Sequence, residues 1–170
     1  MIDDKDIEIR VMVEADRFFF IRWLLDPDVL RWYPMNNLKE IEDASRMWLT
    51  YARMGAAYTM LYKGEVAGMT LIYLSPYEKL KHQALFPIIV DEKQRGKGLG
   101  TKLMHYMMHE AKHTHGISLL HLEVYEGNPA KRLYERLGFT EYGRHLKFFK
   151  EEGGKYRDKI LMEISLDGRT

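Results

Sequence analysis

VDEKQRGKGLGTKLM, residues 90–104, decides how the rest of the chain is read. Glycines stand at 96, 98 and 100, interleaved with Lys97 and preceded by Arg95. Upstream lies an apolar run ending at Val90; downstream, Leu103, Met104, Met107, Met108 and Ala111 recur at helical spacing. That recurrence predicts an amphipathic helix over 100–114. A helix N-terminus exposes unpaired amides and a partial positive charge, which attract phosphate. Glycines remove the Cβ atoms that would block its approach, and Lys93, Arg95 and Lys97 add counter-charge. The spacing is not the G-x-x-x-x-G-K-S/T of a Walker loop, and the third glycine comes too early for G-x-G-x-x-G.

Outward from this junction, period-2 and period-3.6 patterns alternate. IEIRVMV at 7–13 reads as a half-buried strand, and DRFFFIRWLLDPDVLRWYP from Asp16 as a helix-like region punctuated by Pro27 and Pro34. Residues 39–54 carry Ile41, Ala44, Met47, Trp48 and Tyr51 on one stripe, and Gly55 stops that helix. AYTMLYKG and EVAGMTLIYL meet at Lys63-Gly64-Glu65 as a hairpin. ALFPIIVD is a further strand in which Pro87 cannot donate to a ladder, so a bulge, bend or break is expected there. SLLHLEVY follows the glycine-led helix as another strand. Asn128-Pro129 then reads as an N-cap with proline at the first helical position, AKRLYERL runs to Gly138, and two strands flank Gly153-Gly154. The order predicts an α/β fold, with a mixed sheet of about seven strands and four helices, as one domain over residues 1–170.

Composition excludes several functions. With 26 Lys+Arg against 25 Asp+Glu, the chain lacks the basic excess of a dedicated nucleic-acid binder. It has no cysteine, so disulfides, thiolate metal sites and a cysteine nucleophile are excluded. No stretch approaches the roughly 18–20 apolar residues of a membrane span, and the acidic start MIDDKDIEIR lacks the apolar run of a signal peptide. The expectation is a cytoplasmic protein with no membrane partner. His105, His109 and His113 share a helix face but span about 12 Å, too far for one ion, so no metal site is read from them.

Arg95-x-x-Gly98-x-Gly100 resembles the Gln/Arg-x-x-Gly-x-Gly/Ala signature of the GNAT family of N-acetyltransferases. GNPAKRLYERLGF, residues 127–139, resembles the asparagine-to-tyrosine segment that follows the next strand in that family. DPDVLRWYP and GGKYRDKILME look like the branch holding ribosomal-protein N-terminal, polyamine and aminosugar acetyltransferases. The resemblance implies a central strand pair that splays apart around acetyl-coenzyme A. By position, the backbone of Ile88, Ile89 and Val90 would then pair with the pantetheine arm. Arg95, Gly96, Lys97, Gly98, Leu99, Gly100 and Thr101 would cradle the pyrophosphate. Asn128 would reach the arm from the other side, and Lys131 is a further candidate for a phosphate contact.

Acetyl transfer to an amine needs a neutral nucleophile, a polarised thioester carbonyl and a proton for the departing thiolate. Tyr134 matches the family's proton-donating tyrosine. The base is less direct: where some members carry a glutamate before the glycine loop, this chain has Ala84. Glu123, on the following strand, is the candidate, acting directly or through a water, with His82 a distant second. Trp32 and Tyr33 fall in the region that lines the acceptor side in this family. The expectation is therefore an acetyl-CoA-dependent N-acetyltransferase acting on a primary amine, of a small molecule or a protein N-terminus, by direct attack in a ternary complex. The missing upstream glutamate keeps a non-catalytic acyl-CoA-binding sensor as the alternative. An exposed edge at the C-terminal strands could support a homodimer.

Overall fold

A computed structural model describes residues 2–168. It has eight strands and five α-helices among the described residues: β1 Ile7–Val11, α1 Arg17–Leu24, α2 Pro27–Leu30, α3 Leu38–Arg53, β2 Ala57–Tyr62, β3 Glu65–Leu71, β4 Gln83–Leu85, β5 Ile88–Val90, α4 Leu99–His113, β6 Leu119–Tyr125, α5 Lys131–Arg136, β7 Thr140–Lys150 and β8 Tyr156–Ser165.

Local chemistry explains most boundaries. The β2–β3 hairpin turns at Lys63 and Gly64, both at positive φ, which matches the right-handed twist of its strands. The Asn37 side chain accepts the Glu40 N–H to start α3, and Gly55, at φ +70°, follows its end. The buried face of α3 is Ile41, Ser45, Trp48, Leu49 and Ala52, while Met47 points outward. The helix-like region from Asp16 divides in two: the Asp26 carboxylate accepts the Asp28 N–H at 2.9 Å and Pro27 presets the first turn, so α2 forms as a separate short helix before Pro34.

The strand count exceeds the expected seven because the run at 84–91 serves two sheets. One sheet runs β1-β2-β3-β5 and the other β4-β6-β8-β7. Tyr73 N–H to Leu85 O, Leu71 N–H to Pro87 O and Asp91 N–H to Ala67 O carry pairing with the β3 side from Leu85 to Asp91. On its other edge the run pairs in parallel with β6, but only from Gln83↔Leu119 to Leu85↔His121, with Phe86 N–H to His121 O as a further bond. At Pro87 the ladder loses a donor, and its carbonyl takes the Thr70 hydroxyl at 2.8 Å. Beyond it, β5 follows β3 while β6 continues to Tyr125, and a wedge opens between them.

Apolar layers hold the wedge open. Phe20, Trp23, Leu24, Ile41 and Trp48 from α1 and α3 pack on Met69, Leu71 and Ile89. On the opposite face, Leu99 and Leu103 of α4 pack on Met60 and Ala67, and Met104, Met107 and Ala111 pack with Leu120, Leu122 and Val124 of β6. Burial of each such large side chain contributes about 1.5–3 kcal/mol. Both walls are therefore anchored to the core.

Candidate active site

The wedge between β5 and β6 forms a cleft of about 660 Å³. Ile88, Val90, Arg95, Gly96, Gly98, Leu99, Gly100, Thr101, Glu123, Asn128 and Tyr134 line it, together with Trp32 and Tyr33. Residues scattered across four elements and three loops thus meet on one surface.

The glycine turn divides its labour more finely than the sequence indicates. Gly96 (φ +75°) and Gly98 (φ +80°) hold left-handed backbone, and a Cβ at either would meet no protein atom within 4 Å. Conformation, rather than space against the protein, demands glycine there. Gly100 differs, because a Cβ would sit 3.3 Å from Leu133 Cδ2, so it lets α5 close on the first turn of α4. Gly98 caps α4 without a side-chain bond, so the first amides of the helix stay available to an anion. Leu99 contributes main chain only, its side chain being buried in the core.

Along β5, alternation selects the useful groups. Main-chain bonds at Pro87 and Asp91, with the register Met69↔Ile89, direct the odd residues to β3. Ile88 and Val90 therefore turn their N–H and C=O into the cleft. Ile89 does not: its backbone belongs to the β3 ladder and its side chain to the core, which corrects the expectation for that residue. Both inward carbonyls are engaged by the protein itself. Tyr33 Oη donates to Ile88 O at 2.9 Å, and Arg95 Nε donates to Val90 O at 3.3 Å.

Two expected phosphate contacts stand outside the wall. Lys97 Nζ lies 5.3 Å from the Tyr62 ring centroid and bonds Gln94, and Lys131 pairs with Glu135 at 2.9 Å and Glu141 at 3.7 Å. Asn128 lines the cleft, but its Oδ1 accepts the Ala130 N–H at 2.9 Å. The Asn128-Pro129-Ala130 turn precedes the helix, which begins at Lys131 and not at Pro129.

Tyr134 is 8% exposed, and its ring meets Phe86 and Phe139 at 6.4 and 6.2 Å. Burial pushes its phenol well above the ordinary range, so it stays protonated. Across the cleft, Glu123 binds Lys159 Nζ at 3.0 Å. Tyr73 joins this wall with its phenol pushed up to about 12, chiefly by burial, then by Tyr51 and Glu123. Tyr73, Tyr125 and Phe148 were not singled out from sequence. Tyr125 could have been, since it shares a strand face with Glu123; Phe148 could not, because β7 breaks register between His145 and Phe149.

Comparison with known proteins agrees with this geometry. The sequence profile of the acetyltransferase (GNAT) family matches residues 16–139. An L-methionine sulfoximine/L-methionine sulfone acetyltransferase of Pseudomonas aeruginosa is 31% identical over 124 residues, covering 69% of this chain and 70% of the relative. A spermine/spermidine N(1)-acetyltransferase of Bacillus subtilis is 29% identical over 89 residues, 49% of this chain and 59% of the relative. An acetyltransferase of Salmonella typhimurium, solved with its cofactor acetyl-CoA, superposes with a TM-score of 0.78 at 21% identity, over 97% of this chain and 96% of the other.

Proposed function

The chain belongs to the acetyltransferase (GNAT) family, and from that membership we propose that it moves the acetyl group of acetyl-coenzyme A to a primary amine in the cleft between β5 and β6. One observation carries the reading: the uncapped start of α4, the inward edge of β5 and the phenol of Tyr134 share a single wall-to-wall cleft. Its donor set fits a long, phosphate-bearing thioester. The amides from Gly96 to Thr101 and the Arg95 charge suit a pyrophosphate, and the inward Ile88 and Val90 groups suit the amides of the arm.

Acetyl-coenzyme A supplies an acyl group activated as a thioester; the chain supplies position and protons. The acceptor amine must be neutral when it attacks, and Glu123, the carboxylate on this wall, is the group that takes its proton directly or through a water. Attack forms the C–N bond and breaks the C–S bond, leaving charge on sulfur. Tyr134 answers that charge in this reading. A phenol so far above an ordinary thiol of about 8.5 would transfer its proton uphill in water. Desolvation in the same cleft raises the thiolate too, which brings donor and acceptor closer together. Until transfer, the phenol hydrogen-bonds the sulfur.

The named relatives act on different acceptors, an amino-acid derivative in one and polyamines in another. Thiol release from acetyl-CoA, followed with a thiol reagent across α-amino acids, polyamines, aminosugars and N-terminal peptides, tests the reading. The chain has no cysteine, so every thiol counted comes from coenzyme A. Amine-dependent release supports the enzyme. Acetyl-CoA binding without turnover for any amine favours an acyl-CoA sensor instead. Among the described residues, no helix is long and apolar enough to cross a membrane.

A further inference from the structure

Two nearly buried cations stand directly behind the acceptor end of the cleft. Lys159 is 11% exposed; its Nζ lies 3.0 Å from Glu123 Oε1 and 3.7 Å from the centroid of the Phe148 ring. Arg157, two positions earlier on the same face of β8, is 13% exposed. Its guanidinium sits 5.3 Å from the Trp32 ring centroid and donates to Glu126 O at 2.9 Å, with Glu151 as its ion partner. Glu123, Phe148 and Trp32 all line the cleft.

Among the described residues, Glu123 is the carboxylate of that lining, and Lys159 already matches its charge. A polyamine would bring several positive charges to a wall whose carboxylate is already matched, and where the cation behind Trp32 is likewise matched by Glu151. A zwitterion meets the opposite situation. The amine and carboxylate of an α-amino acid lie roughly 3 Å apart by standard backbone geometry. Glu123 and Lys159 hold a carboxylate and an ammonium at 3.0 Å. The two pairs can exchange partners head to tail, ammonium to Glu123 and carboxylate to Lys159, and every charge stays matched.

We propose that the acceptor is a free α-amino acid or close analogue, and that Lys159 is the residue that reads its carboxylate. This rests on the acetyl-transfer reading above and adds the acceptor's charge pattern to it. It also gives the Glu123 carboxylate its place, beside the ammonium whose proton must leave.

The test uses the full chain and thiol release, with a set of α-amino acids, including L-methionine sulfone, their methyl esters, and spermidine. The ester removes the charge that Lys159 reads. It also adds a methyl group and makes the ammonium more acidic, which supplies more neutral amine, so a preference for the acid runs against intrinsic reactivity. The acids are expected to exceed the esters by about tenfold or more in kcat/KM, mainly through KM, with spermidine below both. Lys159→Gln should raise KM for the acids and bring the acid-to-ester ratio toward one, and Lys159→Arg should restore much of the ratio. Thermal unfolding of both variants beside the wild type shows whether they remain folded. Esters equal to acids in the wild type, or spermidine preferred to both, overturns the carboxylate reading and leaves acetyl transfer standing. No release with any amine, while acetyl-CoA still binds, overturns acetyl transfer itself and this inference with it.

Discussion

The hydroxyl of Tyr33 donates to the main-chain carbonyl of Ile88 across 2.9 Å and ties the loop after α2 to the inner edge of β5. That carbonyl is one of two on β5 that face the cleft, so in the proposed binding mode the phenol and the pantetheine arm compete for the same acceptor. Tyr33→Phe should therefore free it, and acetyl-CoA should bind about threefold to tenfold more tightly by calorimetry, the worth of one net hydrogen bond. Weaker binding would mean that phenol and arm share the carbonyl's two lone pairs.

Gly98 sits at φ +80° immediately before α4. Gly98→Ala should cost about 1–2 kcal/mol of backbone strain and spoil the amide cradle, raising the Kd for acetyl-CoA about tenfold. Gly116, at φ +68° beyond the other end of α4, is the control. Gly116→Ala should lower thermal stability in the same way while leaving acetyl-CoA affinity as it was. Equal affinities for both variants would contradict a cradle at Gly98.

Asp16 is a structural charge away from this chemistry. It is 2% exposed, takes both Arg10 nitrogens at 2.7 and 2.9 Å, the Val13 N–H at 2.9 Å and the Thr59 hydroxyl at 2.8 Å. Burial pushes its carboxyl up, but the bonds from Arg10, Val13 and Thr59 outweigh it and hold the carboxyl below its ordinary value. A lowered folded value makes the stabilisation present above the unfolded value of about 3.9, and lost as pH falls through the folded one. Asp16→Asn should cost about 2–3 kcal/mol at pH 7, since it breaks the pair but leaves Arg10 partly in water. Urea midpoints of wild type and variant should converge below pH 4. A constant gap would sink the assignment.

How much of this was legible in the sequence follows from how local each feature is. The glycine turn and α4 could be read because cap, helix pattern and anion chemistry are all written within residues 90–111. Pro87 announced a break, but not that one run would serve two sheets, because its second partner, β6, lies beyond an intervening helix. The identity of the inward β5 groups depends on the Met69↔Ile89 register, which no local pattern fixes. Trp32 and Tyr33 fell inside the resembling segment, but that Tyr33 would hold β5 could not be seen there. Lys159 was not singled out in the sequence. Its meaning comes from a cross-strand diagonal to Glu123, and that contact exists only once β8 pairs with β6.

In the proposed reaction Tyr134 serves the departing thiolate, and kcat of Tyr134→Phe tests that role. The ring keeps its contacts with Phe86 and Phe139, so fold and acetyl-CoA affinity should persist. The substitution should lower kcat by about 10²–10⁴-fold with the KM for acetyl-CoA little changed. The wild-type rate should show no alkaline loss from this phenol below about pH 10, because burial raises it and protonation is retained. A variant that turns over at the wild-type rate, with acetyl-CoA bound as before, would contradict the role given to Tyr134.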